Sequence, residues 1–217
     1  MSDRGRILVV AATDRELLAG TGWLTLRCGV GPVEAAAATA AAIVRHRPSA
    51  ILHVGIAGAR RAAGLVPPAL VIGLEARYCD LGVSDEWAPS LVAASPVLVA
   101  AARRALPGAV AVTIGTSARV GGSTVSSTVA GTLTSAVASA VTSSVVCDVE
   151  AMEGFAVLRA AQLAGIPAIE IRAISNEIEE RDLGRWRFDE AFAAVTAATP
   201  LVVAEFEQCV SLFPCEP

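Results

Sequence analysis

The sequence predicts a layered α/β fold in a single domain spanning all 217 residues. Hydrophobic residues make up 54% of the chain and charged residues 18%, which is too apolar for a disordered segment. Aromatic residues make up only 4%, so the core must be built from small side chains in closely packed, thin elements. Apolar runs alternate with helical patterns, and this β-α-β rhythm predicts helices packed on a central sheet.

The first third of the chain carries the clearest strand and helix patterns. Residues 7–12 form an apolar run bounded by charge, which is typical of a strand covered on both faces. A helix is predicted to begin near Pro32 and to end before Pro48, and residues 51–54 follow as a buried strand. Residues 55–59 combine two glycines with small side chains, so we expect a loop that a ligand can approach closely.

The rest of the chain is predicted to continue this alternation. In order, we expect strand 70–78, helix 95–106, strand 110–114, helix 149–164 capped by Asp148, strand 168–174 and C-terminal helix 189–207. Half of residues 123–146 are Ser or Thr, which argues against a membrane span and favours a strand and loop followed by an alanine-rich helix.

The charge pattern indicates the kind of partner. The net charge is −4, and all 17 cationic residues are arginines scattered along the chain, which argues against a surface for nucleic acid or an anionic membrane. The expected partner is a small molecule or another protein. The first apolar run is too short and too charged at its flanks for a signal peptide, so we expect a cytoplasmic protein.

Cysteine and histidine are too few and too poorly spaced for most metal or disulfide chemistry. The five cysteines include no CxxC pair, and His46 and His53 are the only histidines, so neither a zinc site nor a disulfide framework is expected. Catalysis should therefore rest on carboxylates, with no metal and no organic cofactor.

Three stretches follow predicted strands and point to one crevice. They are Glu16, residues 55–59 and the pair Ser175 and Asn176, and ligands of open α/β sheets collect beyond the carboxyl ends of strands. Each has an ordinary structural explanation by itself. Glu16 fits an acid in a first helical turn, and Ser175 with Asn176 fits a turn or a helix cap.

Glu150 and Glu153 are a further candidate pair. They are three positions apart on a predicted helix, hence on one face, with no cation nearby in sequence. They fit either acids that favour the helix dipole or a carboxylate that accepts hydrogen bonds from a diol.

Taken together and in this order, these segments resemble the nucleoside phosphorylase and nucleosidase superfamily, in particular its purine nucleosidase branch. The resemblance extends from Ile7 to about Phe192 and implies a three-layer fold with a mixed central sheet flanked by helices. The segments that carry it are AATDRE, CGVGPVEAAAA, HVGIAGA, LEARYCDLGVSDE, VEAMEGFAV and IRAISNE.

The resemblance also implies roles for individual residues in cleaving a purine nucleoside. Glu16 matches the acid that activates the attacking water, and Met152 and Glu153 match the pair that grips the ribose. Arg172 and Ser175 match residues that support the purine. The remaining expected substrate contacts are Ile56, Ala57, Gly58 and Glu150. Relatives are usually homodimers or larger, so a homo-oligomer is expected.

Asn176 departs from the adenine-specific nucleosidases, which have Asp at the matching position. The segments RAISNEIEERDLGRW and YCDLGVSDE instead resemble the futalosine hydrolases, which release hypoxanthine from futalosine in menaquinone biosynthesis. Hypoxanthine presents a carbonyl oxygen where adenine presents an amine, and an Asn amide can donate to that oxygen or to N7. The loop at residues 115–119 offers no aromatic residue for the purine, so other residues must stack on the base.

Two questions stay open from the sequence. The benzoate arm of futalosine needs a cation and an apolar wall, and the densest supply is Arg181, Arg185, Trp186 and Arg187, which also fit an ordinary solvated loop. The loops at 29–31 and 55–59 contain no arginine, which favours water over phosphate as the nucleophile.

Three alternative functions remain. Arg27, Arg60 and Arg61 lie near enough in sequence to allow a phosphorolytic purine nucleoside phosphorylase. A nucleosidase acting on methylthioadenosine is the second alternative. A non-catalytic nucleoside-binding protein on the same scaffold is the third.

Overall fold

The architecture comes from a computed structural model, which describes residues 6–18, 22–120 and 147–210. Over these residues an eight-stranded mixed sheet is flanked by four α-helices, which confirms the predicted fold class. The Ser/Thr-rich strand, loop and helix predicted over 123–146 lie outside the described residues.

The helices and strands follow in this order: β1 Ile7–Ala11, β2 Leu24–Arg27, α1 Pro32–His46, β3 Ala50–Ala59, β4 Leu70–Tyr78, β5 Leu91–Ala93, α2 Pro96–Ala105, β6 Val110–Thr116, β7 Val149–Ala151, α3 Gly154–Leu163, β8 Ala168–Glu177 and α4 Phe188–Val210. Short 3₁₀ turns occur at Asp14–Glu16, Arg61–Ala63 and Leu183–Arg185. The predictions for β1, α1, β4, α2 and β6 agree with these bounds to within about two residues, the usual scatter of element ends.

The sheet bends back on itself. Its strand order is β2-β1-β3-β7-β6-β4-β5, and β8 pairs with both β3 and β4. Strands β3, β8, β4, β6 and β7 therefore form a closed ring, in which β3 and β8 run parallel to each other and antiparallel to the rest. This ring brings the ends of β3, β7 and β8 together.

The core lies between the sheet and two helix pairs, α1 with α3 and α2 with α4. Every residue of β1 is buried, as is every residue of β8 except its last. Strand β1 is a continuous apolar run, as expected for a strand covered on both faces, whereas β8 also buries Glu170 and Arg172 among its apolar residues.

Strand β3 is longer than predicted, and residues 55–59 are strand instead of loop. The two glycines were expected to form a loop, but they lie within the strand and allow neighbouring side chains to pack closely against its backbone. A Cβ atom on Gly55 would lie 2.3 Å from Nη1 of Arg172 and 2.9 Å from Oε1 of Glu16. Gly55 therefore remains in the strand, paired with Arg172, and leaves room for these side chains.

The predicted helix over 149–164 is wrong at its beginning. Residues 149–151 form β7, which pairs with Gly58 and Ala59 of β3 and with the end of β6, and the helix begins only at Gly154. Pairing with strands distant in sequence outweighs the local helix propensity here. Strands β2 and β5 were not predicted, because four and three residues give too short a pattern to recognise.

Candidate active site

A cavity of about 260 Å³ opens where the ends of β1, β3, β7 and β8 meet the beginning of α4. Its polar wall residues are Glu16, Glu150, Glu153, Ser175, Asn176 and Thr13. Ile56, Ala57, Gly58 and Met152 also line it. The structure thus brings together the three stretches that sequence reasoning assigned to one crevice.

Glu16 lies in the 3₁₀ turn after β1 and is 4% exposed. Its Oε2 accepts hydrogen bonds from the backbone N–H of Thr13 at 2.9 Å and from Thr13 Oγ1 at 2.8 Å. Its Oε1 accepts from the backbone N–H of Ile56 at 3.2 Å. These three donors fix the carboxylate at the cavity wall, so Glu16 is not the exposed helix-turn acid of the alternative interpretation.

Glu153 is the N-cap residue of α3 and is also 4% exposed. Its Oε1 accepts from the backbone N–H of Gly31 at 3.0 Å, and its Oε2 lies 3.7 Å from Nη2 of Arg172. Burial raises the pKa of Glu153 above its ordinary value, although Arg172 and the Gly31 N–H act in the opposite direction. The result is a desolvated carboxyl held at the cavity with part of its hydrogen-bonding capacity free.

Glu150 and Met152 line the same cavity, but neither lies on the helix that was predicted to carry them. Glu150 belongs to β7 and Glu153 follows that strand, so the two acids do not share a helix face. Both nevertheless line the cavity, together with Met152 between them.

Asn176 and Ser175 form the polar end of the cavity. Ser175 Oγ lies 2.8 Å from Asn176 Oδ1 and 3.2 Å from the carbonyl oxygen of Ala57. The amide of Asn176 donates one hydrogen to the carbonyl oxygen of Glu177 at 2.9 Å. One amide hydrogen and one lone pair of Oδ1 then remain for a ligand.

Three aromatic residues that sequence reasoning did not assign to the base line the same cavity: Trp186, Phe188 and Phe192. The rings of Trp186 and Phe188 lie 5.3 Å apart, and those of Phe188 and Phe192 are stacked at 6.2 Å. Arg15, one residue before Glu16, lies 4.4 Å above the ring of Phe192. The available signal was the spacing of Phe188 and Phe192, four apart at the start of a helix.

Arg172 and Arg181 are placed differently from the expectation. Arg172 is 1% exposed and does not line the cavity, because its guanidinium turns into the sheet beneath Glu153 and donates to Glu170 at 3.1 Å. Arg181 is exposed and is also not among the cavity residues. The cavity wall in this region is formed by the nearby Trp186, whose indole N–H donates to the carbonyl oxygen of Glu180.

No arginine is among the described residues that line the cavity. The three arginines that kept phosphorolysis open contact other groups. Arg27 lies 3.3 Å from Asp14, Arg60 donates to the carbonyl oxygen of Cys147 at 2.9 Å, and Arg61 lies 2.6 Å from Glu177.

Four cysteines belong to the described residues, and none of the four lines the cavity. Cys28, Cys79, Cys147 and Cys209 are free thiols, and burial raises the pKa of Cys28 to about 12, so it stays protonated. Over residues 6–18, 22–120 and 147–210, no group of three or more His, Cys, Asp and Glu side chains is arranged to hold a metal ion. The helices in these ranges are also too short or too polar to cross a membrane.

Comparison with known proteins gives one family. A profile of the phosphorylase superfamily matches residues 13–210. The futalosine hydrolase of Streptomyces coelicolor is 36% identical over 195 residues, which is 82% of this chain and 77% of that protein. The futalosine hydrolase of Thermus thermophilus is 32% identical over 197 residues, which is 87% of this chain and 84% of that protein.

Solved structures share the fold at lower identity. The native futalosine hydrolase of Helicobacter pylori matches with a TM-score of 0.72 and 14% identity, over 94% of this chain and 98% of that one. A methylthioadenosine/adenosylhomocysteine nucleosidase of Colwellia psychrerythraea, in complex with adenine, matches with a TM-score of 0.71 and 19% identity, over 96% and 97%. At these identities the structures establish the fold alone.

Proposed function

This chain belongs to the futalosine hydrolase family within the phosphorylase superfamily, and from this membership we propose that it hydrolyses the N-glycosidic bond of futalosine. The products are hypoxanthine and dehypoxanthine futalosine. One observation carries the proposal beyond family membership. Two buried carboxylates, Glu16 and Glu153, line one cavity whose described wall contains no arginine, so the site is built for a sugar and a water molecule.

In this mechanism Glu16 orients and deprotonates the attacking water. Its Oε2 is occupied by both donors of Thr13, so Oε1 is the oxygen available to accept the proton. The Ile56 N–H at 3.2 Å holds that oxygen in place. Positioned general base catalysis of this kind contributes about 10²- to 10⁴-fold to a rate.

Glu153 holds the ribose hydroxyls. As the glycosidic bond breaks, the sugar gains oxocarbenium character, and a nearby carboxylate stabilises that positive charge as it does in glycoside hydrolysis generally. Because Glu153 is desolvated, its interaction with the charged sugar is stronger than in water. Met152 provides an apolar contact for the sugar at the same wall.

Asn176 binds the departing base. Its remaining amide hydrogen can donate to O6 or N7 of hypoxanthine, since the other hydrogen is fixed on the carbonyl oxygen of Glu177. Ser175 supports the purine end indirectly through its contact with Asn176 Oδ1. The donor is matched to a 6-oxopurine, and a site of the wrong polarity can lose about 10⁴-fold in discrimination.

Trp186, Phe188 and Phe192 provide the apolar wall for the rest of the substrate. Futalosine carries a benzoate-bearing arm, and stacked or edge-to-face aromatic pairs contribute about 0.5–1.5 kcal/mol beyond the area they bury. Arg181 and Arg185 remain the proposed cations for the benzoate carboxylate. Arg185 now lies 3.4 Å from Glu180, so it would exchange that partner for the substrate.

The finer biological setting is part of the same proposal. We place the reaction in menaquinone biosynthesis, and the free thiols of Cys28, Cys79, Cys147 and Cys209 fit a reducing cytoplasm. A homodimer or larger assembly is supported by an apolar groove between α1 and α3 with exposed Val33, Val44 and Leu163. Light scattering after size-exclusion chromatography tests this, and a monomeric mass would contradict it.

The experiment that tests the function is a comparison of four nucleosides, each with and without phosphate. Futalosine should release hypoxanthine at a rate independent of phosphate, and faster than inosine, methylthioadenosine or aminodeoxyfutalosine. Phosphate-dependent release of ribose 1-phosphate from inosine would instead identify a phosphorylase. Preferential release of adenine would identify an adenine nucleosidase, and stoichiometric binding without turnover a nucleoside-binding protein.

A further inference from the structure

A buried charged cluster lies directly beneath the cavity carboxylates without lining the cavity. It consists of His53 on β3 and of Glu170 and Arg172 on β8, each 1% exposed or less. His53 is paired in register with Glu170, and Gly55 with Arg172. The three side chains therefore share one face of two adjacent strands.

Three glycines make the space for this cluster. A Cβ atom on Gly55 would lie 2.3 Å from Arg172 Nη1, and one on Gly154 would lie 2.3 Å from Glu170 Oε2. A Cβ atom on Gly73 would lie 2.6 Å from Glu170 Cγ. These glycines lie on β3, β4 and α3, so three separate elements leave room for Glu170 and Arg172.

The guanidinium of Arg172 connects the cluster to the cavity. On its inner side Nε donates to Glu170 Oε2 at 3.1 Å, and Nη2 lies 3.1 Å from His53 Nδ1. The same Nη2 also lies 3.7 Å from Glu153 Oε2, toward the cavity. Nη1 points to Gly55, where the space that a Cβ atom would fill lies 2.9 Å from Glu16 Oε1.

Burial raises the pKa of Glu170, and the charge of Glu153 acts in the same direction, while the charge and hydrogen bond of Arg172 lower it. Arg172 also interacts with the charges of Glu153 and Glu16. Burial and the arginine lower the pKa of His53, so its imidazole is neutral and can only accept from the guanidinium. One arginine thus faces three carboxyls. Because Coulomb interactions add, a negative charge on Glu170 opposes the ionisation of Glu153, whereas the arginine favours it.

We propose that Glu170 is a positioning residue, which acts through Arg172 to set the orientation of the two cavity carboxylates and the charge of Glu153. Glu170 touches neither the cavity nor any substrate in it. It anchors the inner edge of the guanidinium, so that the outer edge faces Glu153 and Glu16. The proposal rests on the proposed function only where catalysis is the readout, and its test includes one readout that needs no turnover.

The test compares Glu170→Gln with Glu170→Asp. The Gln variant keeps the size and the oxygen that accepts from Arg172 Nε but removes the charge. With one negative charge fewer nearby, the ionised form of Glu153 is favoured, and the acidic limb of the kcat/KM profile moves to lower pH by about 0.5 to 1. The value of kcat should fall at least about tenfold while KM changes less than about threefold.

The Asp variant keeps the charge but shortens the reach to Arg172. It should lose at least about fivefold in kcat and keep the wild-type acidic limb, because the charge balance is unchanged. If Glu170 had only a structural role, neither variant would shift the acidic limb of the kcat/KM profile. Wild-type kcat in Glu170→Asp would overturn the proposal even if the Gln variant failed to fold.

The readout without turnover is a carbon-13 NMR titration of labelled glutamate carboxyls, with Glu153→Gln and Glu16→Gln used for assignment. The proposal expects the pKa of Glu153 to be lower in Glu170→Gln than in the wild type. An unchanged pKa would overturn it. If the wild type cleaves none of the four nucleosides, the proposed function fails, while this titration still decides the role of Glu170.

Discussion

Glu16 Oε1 accepts a hydrogen bond from the backbone N–H of Ile56 at 3.2 Å, which ties the turn after β1 to the middle of β3. Gly55 makes this contact possible, because a Cβ atom there would lie 2.9 Å from the same oxygen. The proposed base is thus held between two strands that are neighbours in the sheet and about forty residues apart in the chain.

The first prediction is that Glu16→Gln loses turnover but keeps substrate binding. The substitution preserves the size of the side chain and removes the group that takes the proton, so kcat should fall by about two to four orders of magnitude. Single-turnover kinetics with futalosine measures this directly. Glu86→Gln, at an exposed glutamate, is the matched control. Near-normal turnover in Glu16→Gln would remove the base from the mechanism.

The second prediction separates ribose binding from general packing at Glu153. Glu153→Ala should weaken binding of inosine far more than binding of its 2′,3′-dideoxy analogue, since hydrogen bonds to a charged group contribute roughly 1.5–3 kcal/mol each. Calorimetric titration of both ligands gives the difference. Equal losses would show that Glu153 does not bind the diol, and Glu150, on the same cavity wall, would take its place.

The sequence predicts those parts of the site whose secondary structure follows from the pattern of neighbouring residues. Glu16 and Asn176 could be placed because each stands near the end of a long apolar run, and such runs form strands from local pattern alone. The start of α3 could not, because β7 exists only through pairing with Ala59 and Ile114. Local periodicity carries no information about such distant partners.

The cluster beneath the cavity illustrates the same limit. Glu170 and Arg172 alternate within an apolar strand, and His53 interrupts another, so each stands out as a charged or polar residue in a buried run. The sequence could have flagged them as a buried pair. That the guanidinium turns inward to Glu170, and not outward to the purine, depends on the space left by Gly73 and Gly154 in other elements.

The third prediction concerns stability and pH. Burial raises the folded-state pKa of Glu153 above the ordinary value of 4.5, so the folded protein holds this proton more tightly than the unfolded chain. The resulting stabilisation is complete below the ordinary value and is lost as pH rises through the folded pKa. Glu153→Gln has no such proton to lose.

The melting temperature of Glu153→Gln should therefore rise relative to the wild type as pH increases from about 4 to 8. Thermal unfolding of both proteins across this range gives the difference at each pH. Glu86→Gln, at an exposed position, should show a constant offset. A constant offset in Glu153→Gln as well would mean that the proton of Glu153 is not retained in the folded state.

The fourth prediction tests the aromatic wall. Trp186→Leu should raise KM for futalosine at least about fivefold and leave inosine nearly unchanged, because only futalosine carries the benzoate arm that the ring is proposed to contact. Trp87→Leu is the matched control, since Trp87 is 86% exposed. Alanine at Arg181 and Arg185 should act in the same direction through the carboxylate. Parallel losses for both nucleosides would place the arm elsewhere.

The last prediction follows from the hydrogen bonds of Asn176. Its amide nitrogen lies 2.9 Å from the carbonyl oxygen of Glu177, so Asn176→Asp would put a carboxylate oxygen against that carbonyl. Two acceptors at this distance repel each other unless the carboxyl is protonated, and burial favours the protonated form further. That single proton is then held by the Glu177 carbonyl oxygen, so no hydrogen remains for O6 or N7 of hypoxanthine, whereas the other carboxyl oxygen can accept from the 6-amino group of adenine. A mismatched buried group costs about 1–3 kcal/mol, so the ratio of kcat/KM for futalosine over aminodeoxyfutalosine should fall at least about tenfold.

The substitution of Asn176 by Asp is nearly isosteric, and an unchanged melting temperature would confine the effect to base recognition. If the ratio stayed at its wild-type value in a folded variant, Asn176 would not read the base, and the preference for hypoxanthine would have to come from another residue of the cavity.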